Sequence, residues 1–313
     1  MTTYSVVEQR NSPVPQLSTR YEHYIDAGSI GYGGPLPLVS RLAMSSAFQG
    51  SILSILPPLP NSSYTQEFTA PALQCRDFNS TERDAFFENT HPYTQRQSPS
   101  DPMSATSNQA ITYLAWAGDS TEQFDLSSAP PPLGASITWP SEPTNDPLNI
   151  ASQTTLAQND PSATEFDGLG ISSNWTMVQC SLQNASYEID FHFQPGKPQV
   201  LDVKVPKIFN AIVPGPIKLD GDQTSLSDNQ TLIAEALIDV FGKMMTGVIS
   251  LIKDTNTTYS STLQIQNTVL DPTRGEYSNS TMIQQLFQNM SLSLLTNNVF
   301  QCVSHNFLSA PTY

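Results

Sequence analysis

The clearest structural signal in this sequence is the stretch Tyr187-Glu188-Ile189-Asp190-Phe191-His192-Phe193. Its aromatic and aliphatic residues alternate with Glu, Asp and His, which is the period of two that a half-buried β-strand requires. A short segment containing Pro195 and Gly196 follows, and residues 200–205 then resume the alternation. We therefore predict a β-hairpin with one apolar face and one solvated face.

Neighbouring segments extend the strand pattern towards the N-terminus. Residues 63–75, 111–117 and 175–182 are further strand candidates, because alternating residues or short apolar runs lie there between polar breaks. Two tracts rich in proline and other breakers separate these candidates, residues 88–109 and 126–168. We predict an antiparallel sheet whose strands are joined by long Pro-rich loops.

The hydrophobic period changes beyond Pro216. Apolar residues at helical spacing predict an amphipathic helix over residues 232–252. Its predicted outer stripe comprises Glu235, Asp239, Lys243, Thr246 and Ser250. Residues 280–295 predict a second amphipathic helix, with Asn289 on its outer side.

Weaker signals flank these helices. The apolar, proline-bounded segment 36–56 predicts either a short core helix or a membrane-proximal helix that contacts lipid. Leu263 and Ile265 alternate with glutamines and predict another strand.

The expected fold class is α+β, an antiparallel sheet followed by two packed amphipathic helices. Residues 1–34 are polar and predict a disordered N-terminal arm. Residues 35–313 are expected to form a single domain, β-rich over 61–205 and helix-rich over 217–300.

The composition excludes several classes of protein. The chain has 313 residues, and 13 Lys+Arg against 28 Asp+Glu give a net charge of −15. Hydrophobic residues make up 38%, which is enough for a core and excludes a wholly disordered chain. An isoelectric point near 4.4 and the absence of a basic stripe argue against binding to nucleic acid or to a membrane surface through basic residues.

Asparagine sequons indicate the compartment. Eight of the 19 asparagines stand in Asn-x-Ser/Thr, about twice the number expected by chance. They are Asn61, Asn79, Asn174, Asn184, Asn229, Asn256, Asn279 and Asn289. Only 13% of residues are charged, and attached oligosaccharides would solvate a surface that otherwise needs charged side chains. The pattern predicts a glycoprotein of the secretory pathway; accidental sequons in Ser-, Thr- and Asn-rich loops are the alternative.

Three cysteines, Cys75, Cys180 and Cys302, lie far apart and form no CxxC pattern. Cys75 and Cys180 each lie in a predicted strand, so two neighbouring strands could bring their sulfurs together. We predict a Cys75–Cys180 disulfide and leave the partner of Cys302 open. The alternative is three buried, reduced thiols.

No catalytic, cofactor-binding or metal-binding motif occurs in the sequence. His192 alternates with Glu188 and Asp190, and these three could be drawn as an acid/base or metal cluster. A solvated strand face is the preferred interpretation, because the opposite face of that strand is wholly apolar. We expect no catalytic residue, cofactor or metal site, although a carboxylate pair for glycoside hydrolysis would leave no local motif.

The sequence contains neither a signal peptide nor an uncharged apolar run of 18 residues. Sequons without a targeting signal lead us to expect that the chain is part of a longer protein whose membrane segments lie outside it.

Five segments carry a resemblance: NSSY at 61–64, FTAPALQC at 68–75, NASY at 184–187, LFQNMS at 286–291 and the apolar helix over 236–251. Together they resemble a family of uncharacterised fungal multi-pass membrane proteins, over roughly residues 36–305. In that family a large glycosylated, non-cytosolic region lies between two membrane helices. The family has no assigned activity, so the resemblance implies an ectodomain and transfers no catalytic residue.

The functional expectation is a non-catalytic extracellular or lumenal region of a fungal membrane protein, with a binding, sensing or structural role. Its partner would be an unknown protein or a cell-wall ligand, and only segments outside this chain would meet the membrane. The alternative is a secreted hydrolase acting on carbohydrates or esters.

Overall fold

The computed structural model describes residues 21–26, 29–57, 61–90, 109–121, 137, 139–140, 146–153, 175–213, 217–218, 226–252, 257–260, 264–271 and 279–296. Within these ranges the chain forms two antiparallel sheets and four α-helices, which confirms the α+β class. None of the described helices has the length and apolar character needed to cross a bilayer.

The described residues form eleven strands and four α-helices. The strands are β1 Tyr21–Asp26, β2 Ser29–Pro35, β3 Ser62–Asp77, β4 Gln109–Ala117, β5 Leu148–Gln153, β6 Trp175–Phe193, β7 Val200–Val203, β8 Lys207–Ala211, β9 Ile217–Lys218, β10 Gly247–Ile252 and β11 Thr257–Ser260. The helices are α1 Pro37–Gln49, α2 Ser80–Thr90, α3 Leu226–Met245 and α4 Ser280–Ser293.

The larger sheet has eight strands and is built around β6. Its order is β11-β10-β4-β5-β6-β3, and β3 pairs with β6 in continuous register from Ser62 opposite Phe193 to Asp77 opposite Val178. Strands β5, β8 and β7 pair with successive parts of β6 along its other edge. The pairing of β6 with β7 confirms the predicted hairpin.

Two predicted strands merge into β6. Segments 175–182 and 187–193 are joined without a break, because the residues between them also pair with β3. Tyr187, Ile189, Phe191 and Phe193 are buried as the alternation predicts.

The helices cover the sheet. Val39, Ala43 and Ala47 of α1 are fully buried against the same core as α3 and α4, so segment 36–56 contains the predicted core helix. Phe241 of α3 meets Phe287 of α4 edge to face, with ring centroids 5.3 Å apart. The predicted second amphipathic helix corresponds to α4.

The predicted helix over 232–252 is too long at its C-terminal end. Helix α3 ends at Met245, and Val248 and Ile249 belong to β10, which pairs antiparallel with β4. Gly247 has φ of 140°, outside helical geometry, and β-branched residues after it fit a strand better than a helix. Periodicity alone did not separate the two elements.

The outer stripe predicted for the helix over 232–252 is also wrong at three positions. Glu235, Asp239 and Thr246 are buried. Lys243 Nζ lies 2.8 Å from Asp239 Oδ2, and the Lys243 side chain reaches solvent while that of Asp239 does not. Strands β1 and β2 contact α3, and Glu235 and Asp239 on its predicted polar side are buried rather than solvated.

The prediction of a disordered arm over residues 1–34 is wrong where β1 and β2 lie. Strands β1 and β2 form an antiparallel hairpin, and β9 adds to its edge. The order of this segment comes from pairing and from contact with α3, which local composition does not reveal. Residues 1–20 lie outside the described part of the chain.

Three further elements differ from the predictions. Strand β5 lies within the predicted Pro-rich loop 126–168, and helix α2 was not predicted. The strand predicted at Leu263 and Ile265 is wrong, because residues Ile265–Asn267 form a 3₁₀ turn. Most of the breaker-rich tract 88–109 lies outside the described residues.

Candidate functional site

His192, Glu188 and Asp190, for which a solvated strand face was predicted, lie on an exposed polar face formed by β3, β6 and β7. Ser63 Oγ lies 2.7 Å from His192 Nδ1, and Thr65 donates a hydrogen bond to Asp190. Each of these contacts joins residues that are directly opposite in the β3–β6 register. The polar face is therefore a ladder of cross-strand pairs.

Lys204 closes this ladder from the end of β7. Its ammonium group forms an ion pair with Glu188 and lies 3.6 Å from Asp190 Oδ2. The hydrogen bond from Thr65, with a smaller contribution from Lys204, holds the pKa of Asp190 below its usual value. The hydrogen bond with Glu188 raises the pKa of Lys204.

The side chains of the polar face are accessible to solvent, as the sequence predicts for the outer face of this strand. His192 is exposed, and the Glu188 side chain is 42% exposed. Glu67 lies opposite Glu188 in the register and accepts a hydrogen bond from Ser186. Among the described residues no three His, Cys, Asp or Glu side chains are placed to hold a metal ion.

The predicted disulfide is formed near one end of the β3–β6 pair, two register positions before the pairing ends at Asp77 and Val178. Cys75 and Cys180 are directly opposite each other, and their sulfurs are 2.07 Å apart. Cys180 is buried and Cys75 is half-buried. A bond of this kind indicates an oxidising environment. Cys302 lies outside the described residues.

A polar network next to the disulfide was missed by the sequence analysis. The Arg76 guanidinium donates bidentate hydrogen bonds to the Glu82 carboxylate of α2, with N–O distances of 2.8 and 2.6 Å. Gln179, opposite Arg76 in the register, accepts from Arg76 and donates to Asn149 Oδ1 at 3.0 Å. The network ties α2 to three strands of the sheet.

The first turn of α2 holds Glu82 in place. Asn79 Oδ1 accepts from the Glu82 N–H, and Glu82 Oε2 accepts from the Asn79 N–H, which is a capping box. The Asn79-x-x-Glu82 spacing is the sequence signal that could have predicted this helix start. The hydrogen bond from Arg76 lowers the pKa of Glu82 to about 2, against an opposing effect of burial.

This pKa predicts an acid-dependent loss of stability. Because the folded pKa of about 2 lies below the ordinary 4.5, Glu82 stabilises the fold above pH 4.5 and loses that contribution as the pH falls from 4.5 to 2. We expect Glu82→Gln to cost about 1 kcal/mol at pH 7, since solvent screens the half-exposed Arg76, and to cost clearly less near pH 2, where Glu82 is partly protonated in the folded protein. Urea unfolding at both pH values measures this. Glu88→Gln on the same helix is the charge control, and an equal cost at both pH values would contradict the account.

The sequons fall in different environments. Asn61, Asn79 and Asn279 are exposed, Asn184 is half-buried and Asn289 is buried. Asn174 and Asn256 lie outside the described residues, and Asn229 lies on α3 with its side chain not described. Asn79 and Asn279 both cap helices through Oδ1, whereas an oligosaccharide is attached to Nδ2. Capping is therefore compatible with glycosylation at these two sites.

The prediction that Asn289 lies on the outer side of its helix is wrong. Its Nδ2 donates to the Gly50 carbonyl at 3.0 Å, and its Oδ1 accepts from Gln285 Nε2 at 3.0 Å. Helix α1 and the turn after it cover this side of α4, which the helical period of α4 alone does not show. An oligosaccharide on Nδ2 would displace the Gly50 contact.

Two hydroxyl substitutions test this distinction on one helix. Thr281→Ala removes the sequon at Asn279 but keeps its cap, and in protein produced through a eukaryotic secretory pathway we expect the mass to fall by one glycan. Ser291→Ala removes the sequon at Asn289, and we expect no change in mass because Asn289 is buried. Intact-mass spectrometry reads both results. A glycan lost with Ser291→Ala would contradict the placement of Asn289.

Comparison with known proteins identifies no relative of this chain. No family model matches this chain, and neither the curated proteins nor the solved structures include a significant match. The function has to be inferred from the chain's own residues.

Proposed function

We propose that this chain is the glycosylated, non-catalytic extracellular or lumenal region of a fungal membrane protein, with a role in binding. The observation that carries the proposal is the Cys75–Cys180 bond across the two longest strands. Disulfides persist in secreted and lumenal proteins and are rare in the cytosol.

Two further observations support the compartment. Asn61, Asn79 and Asn279 present sequons at the surface of the folded domain. The low content of charged residues, 13%, fits a surface that oligosaccharides keep in solution. In this proposal the membrane is reached through segments outside residues 1–313, as in the family that the chain resembles.

The geometry of the polar face favours a binding role over the hydrolase alternative. Glu67 and Glu188 face each other on an open strand pair, where a reacting bond would stay exposed to water. Active sites generally lie in concave pockets that exclude solvent. The partner that this region binds would be a protein or a cell-wall ligand.

Protease protection tests the compartment directly. Microsomes from cells that produce the full-length protein are treated with protease, with and without detergent, and probed with an antibody against residues 35–313. We expect this region to survive until detergent opens the vesicles. Digestion in sealed vesicles, beside an intact lumenal marker protein, would place the chain in the cytosol and overturn the proposal.

A further inference from the structure

The exposed apolar side chains are concentrated in one short part of the chain. Eight large hydrophobic side chains are exposed among the described residues, and five of them lie between residues 200 and 213. These five are Val200, Val205, Ile208, Phe209 and Val213. Val205 is 90% exposed and Phe209 56%, so neither contributes much to the core. Concentrated exposed apolar side chains are typical of interaction sites.

Strand β8 lies at the centre of this part and forms a sheet edge. All five of its residues are exposed. Among the described strands it pairs only with β6, so its second edge presents backbone N–H and C=O groups that no described strand uses. Such an edge is a template for an added strand.

The charged residues around β8 indicate which kind of segment would bind at its free edge. Residues 203–219 contain Lys204, Lys207 and Lys218 and no acidic residue, in a chain with a net charge of −15. Lys204 is already paired with Glu188, whereas Lys207 forms no ion pair with any described residue. A second copy of this chain would add the same positive charges to this region, which is unfavourable, whereas an acidic segment would bring opposite charges.

We propose that the free edge of β8 binds an extended segment of a partner protein, in which acidic residues alternate with apolar ones. This rests on the proposed binding role and names the surface that performs it. Lys207 is opposite Ser186, on the polar face, and Ile208 is opposite Ala185, which is buried. The acidic residues of the added strand therefore lie beside Lys207, and its apolar residues lie beside Ile208.

A synthetic peptide tests the proposal. A fluorescent peptide of alternating valine and glutamate is titrated with the purified glycosylated domain, and anisotropy reports binding. We expect saturable binding that weakens about tenfold with Lys207→Glu, since an attractive cross-strand pair becomes repulsive. Ile208→Ser, on the face that meets the valine side chains of the peptide, is expected to weaken binding as well.

Matched controls separate charge from backbone pairing. Lys197→Glu makes the same charge change in the hairpin turn and is expected to leave binding unchanged. A peptide of alternating valine and lysine tests the charge preference. A valine–glutamate peptide with alternate N-methylated amides tests the backbone hydrogen bonds, and both peptides are expected not to bind.

The possible contrary results are distinct. Failure of the valine–glutamate peptide to bind, equal binding of both charge types, or an unchanged affinity after Lys207→Glu overturns the proposal. A dimer in analytical ultracentrifugation that Ile208→Ser abolishes overturns it too, in favour of a second copy on the same edge. The protease-protection experiment on the full-length protein does not depend on these results. The proposal about the compartment and the proposal about β8 can therefore be contradicted separately.

Discussion

Replacing both disulfide cysteines, Cys75→Ala with Cys180→Ala, is expected to lower the free energy of unfolding by about 4 kcal/mol. The bond joins residues 105 apart in sequence, so in its absence the unfolded chain regains the freedom of a long loop. The native state loses little, because β3 and β6 remain paired on both sides of the position. Guanidinium unfolding without reductant measures the difference.

The adjacent register pair provides a control. Gln74 lies opposite Ser181 and both are exposed, so Gln74→Ala with Ser181→Ala changes the same strands without altering a covalent link. We expect a cost of about 1 kcal/mol, because Ser181→Ala removes the acceptor of the Gln183 side-chain amide. Reductant should bring the wild-type protein close to the cysteine variant. A wild-type stability that neither the substitutions nor reductant changes would show that the bond does not stabilise this fold.

Gly50→Ala is expected to cost about 3 kcal/mol, a large effect for the addition of a single methyl group. Gly50 ends α1 with φ of 66°, which is left-handed and disfavours a side chain. A Cβ there would also lie 2.2 Å from Val269 Cγ1. The Gly50 carbonyl accepts from Asn289, so the displacement would reach α4. Thermal and urea unfolding measure the loss.

Two variants separate backbone strain from the steric clash. Gly196 has φ of 71°, and a Cβ added there would meet no atom within 4 Å, so Gly196→Ala should cost only about 1 kcal/mol. Adding Val269→Ala to Gly50→Ala should recover the part of the loss that comes from the clash. Equal costs at Gly50 and Gly196, with no recovery, would contradict the packing described here.

The parts of the fold that were predictable are those that local patterns determine. The alternation over 187–193 predicts a strand with one buried face, because a polar side chain every second residue is compatible with nothing else of that length. The hairpin follows from Pro195 and Gly196 between two such runs. The Cys75–Cys180 bond follows from placing each cysteine in a strand.

What could not be predicted depends on which elements cover one another. Glu235 and Asp239 look solvated on a helical wheel, yet β1 and β2 contact that helix and both carboxylates are buried. Asn289 meets the sequon rule, but the turn at Gly50 occupies its amide. The exposed edge of β8 could not be predicted, because Ile208 and Phe209 are ordinary strand residues. They are exposed because no described strand pairs with the second edge of β8.

Peptide mapping of the native protein is the most direct test of the central claim that this chain folds on the extracellular or lumenal side of a membrane. The protein is recovered from its own cells with its thiols blocked, digested without reductant and analysed by mass spectrometry. We expect a Cys75–Cys180 cross-linked peptide, glycans at Asn61, Asn79 and Asn279, and an unmodified Asn289. Free thiols at Cys75 and Cys180 together with bare asparagines at all three exposed sequons would contradict the account.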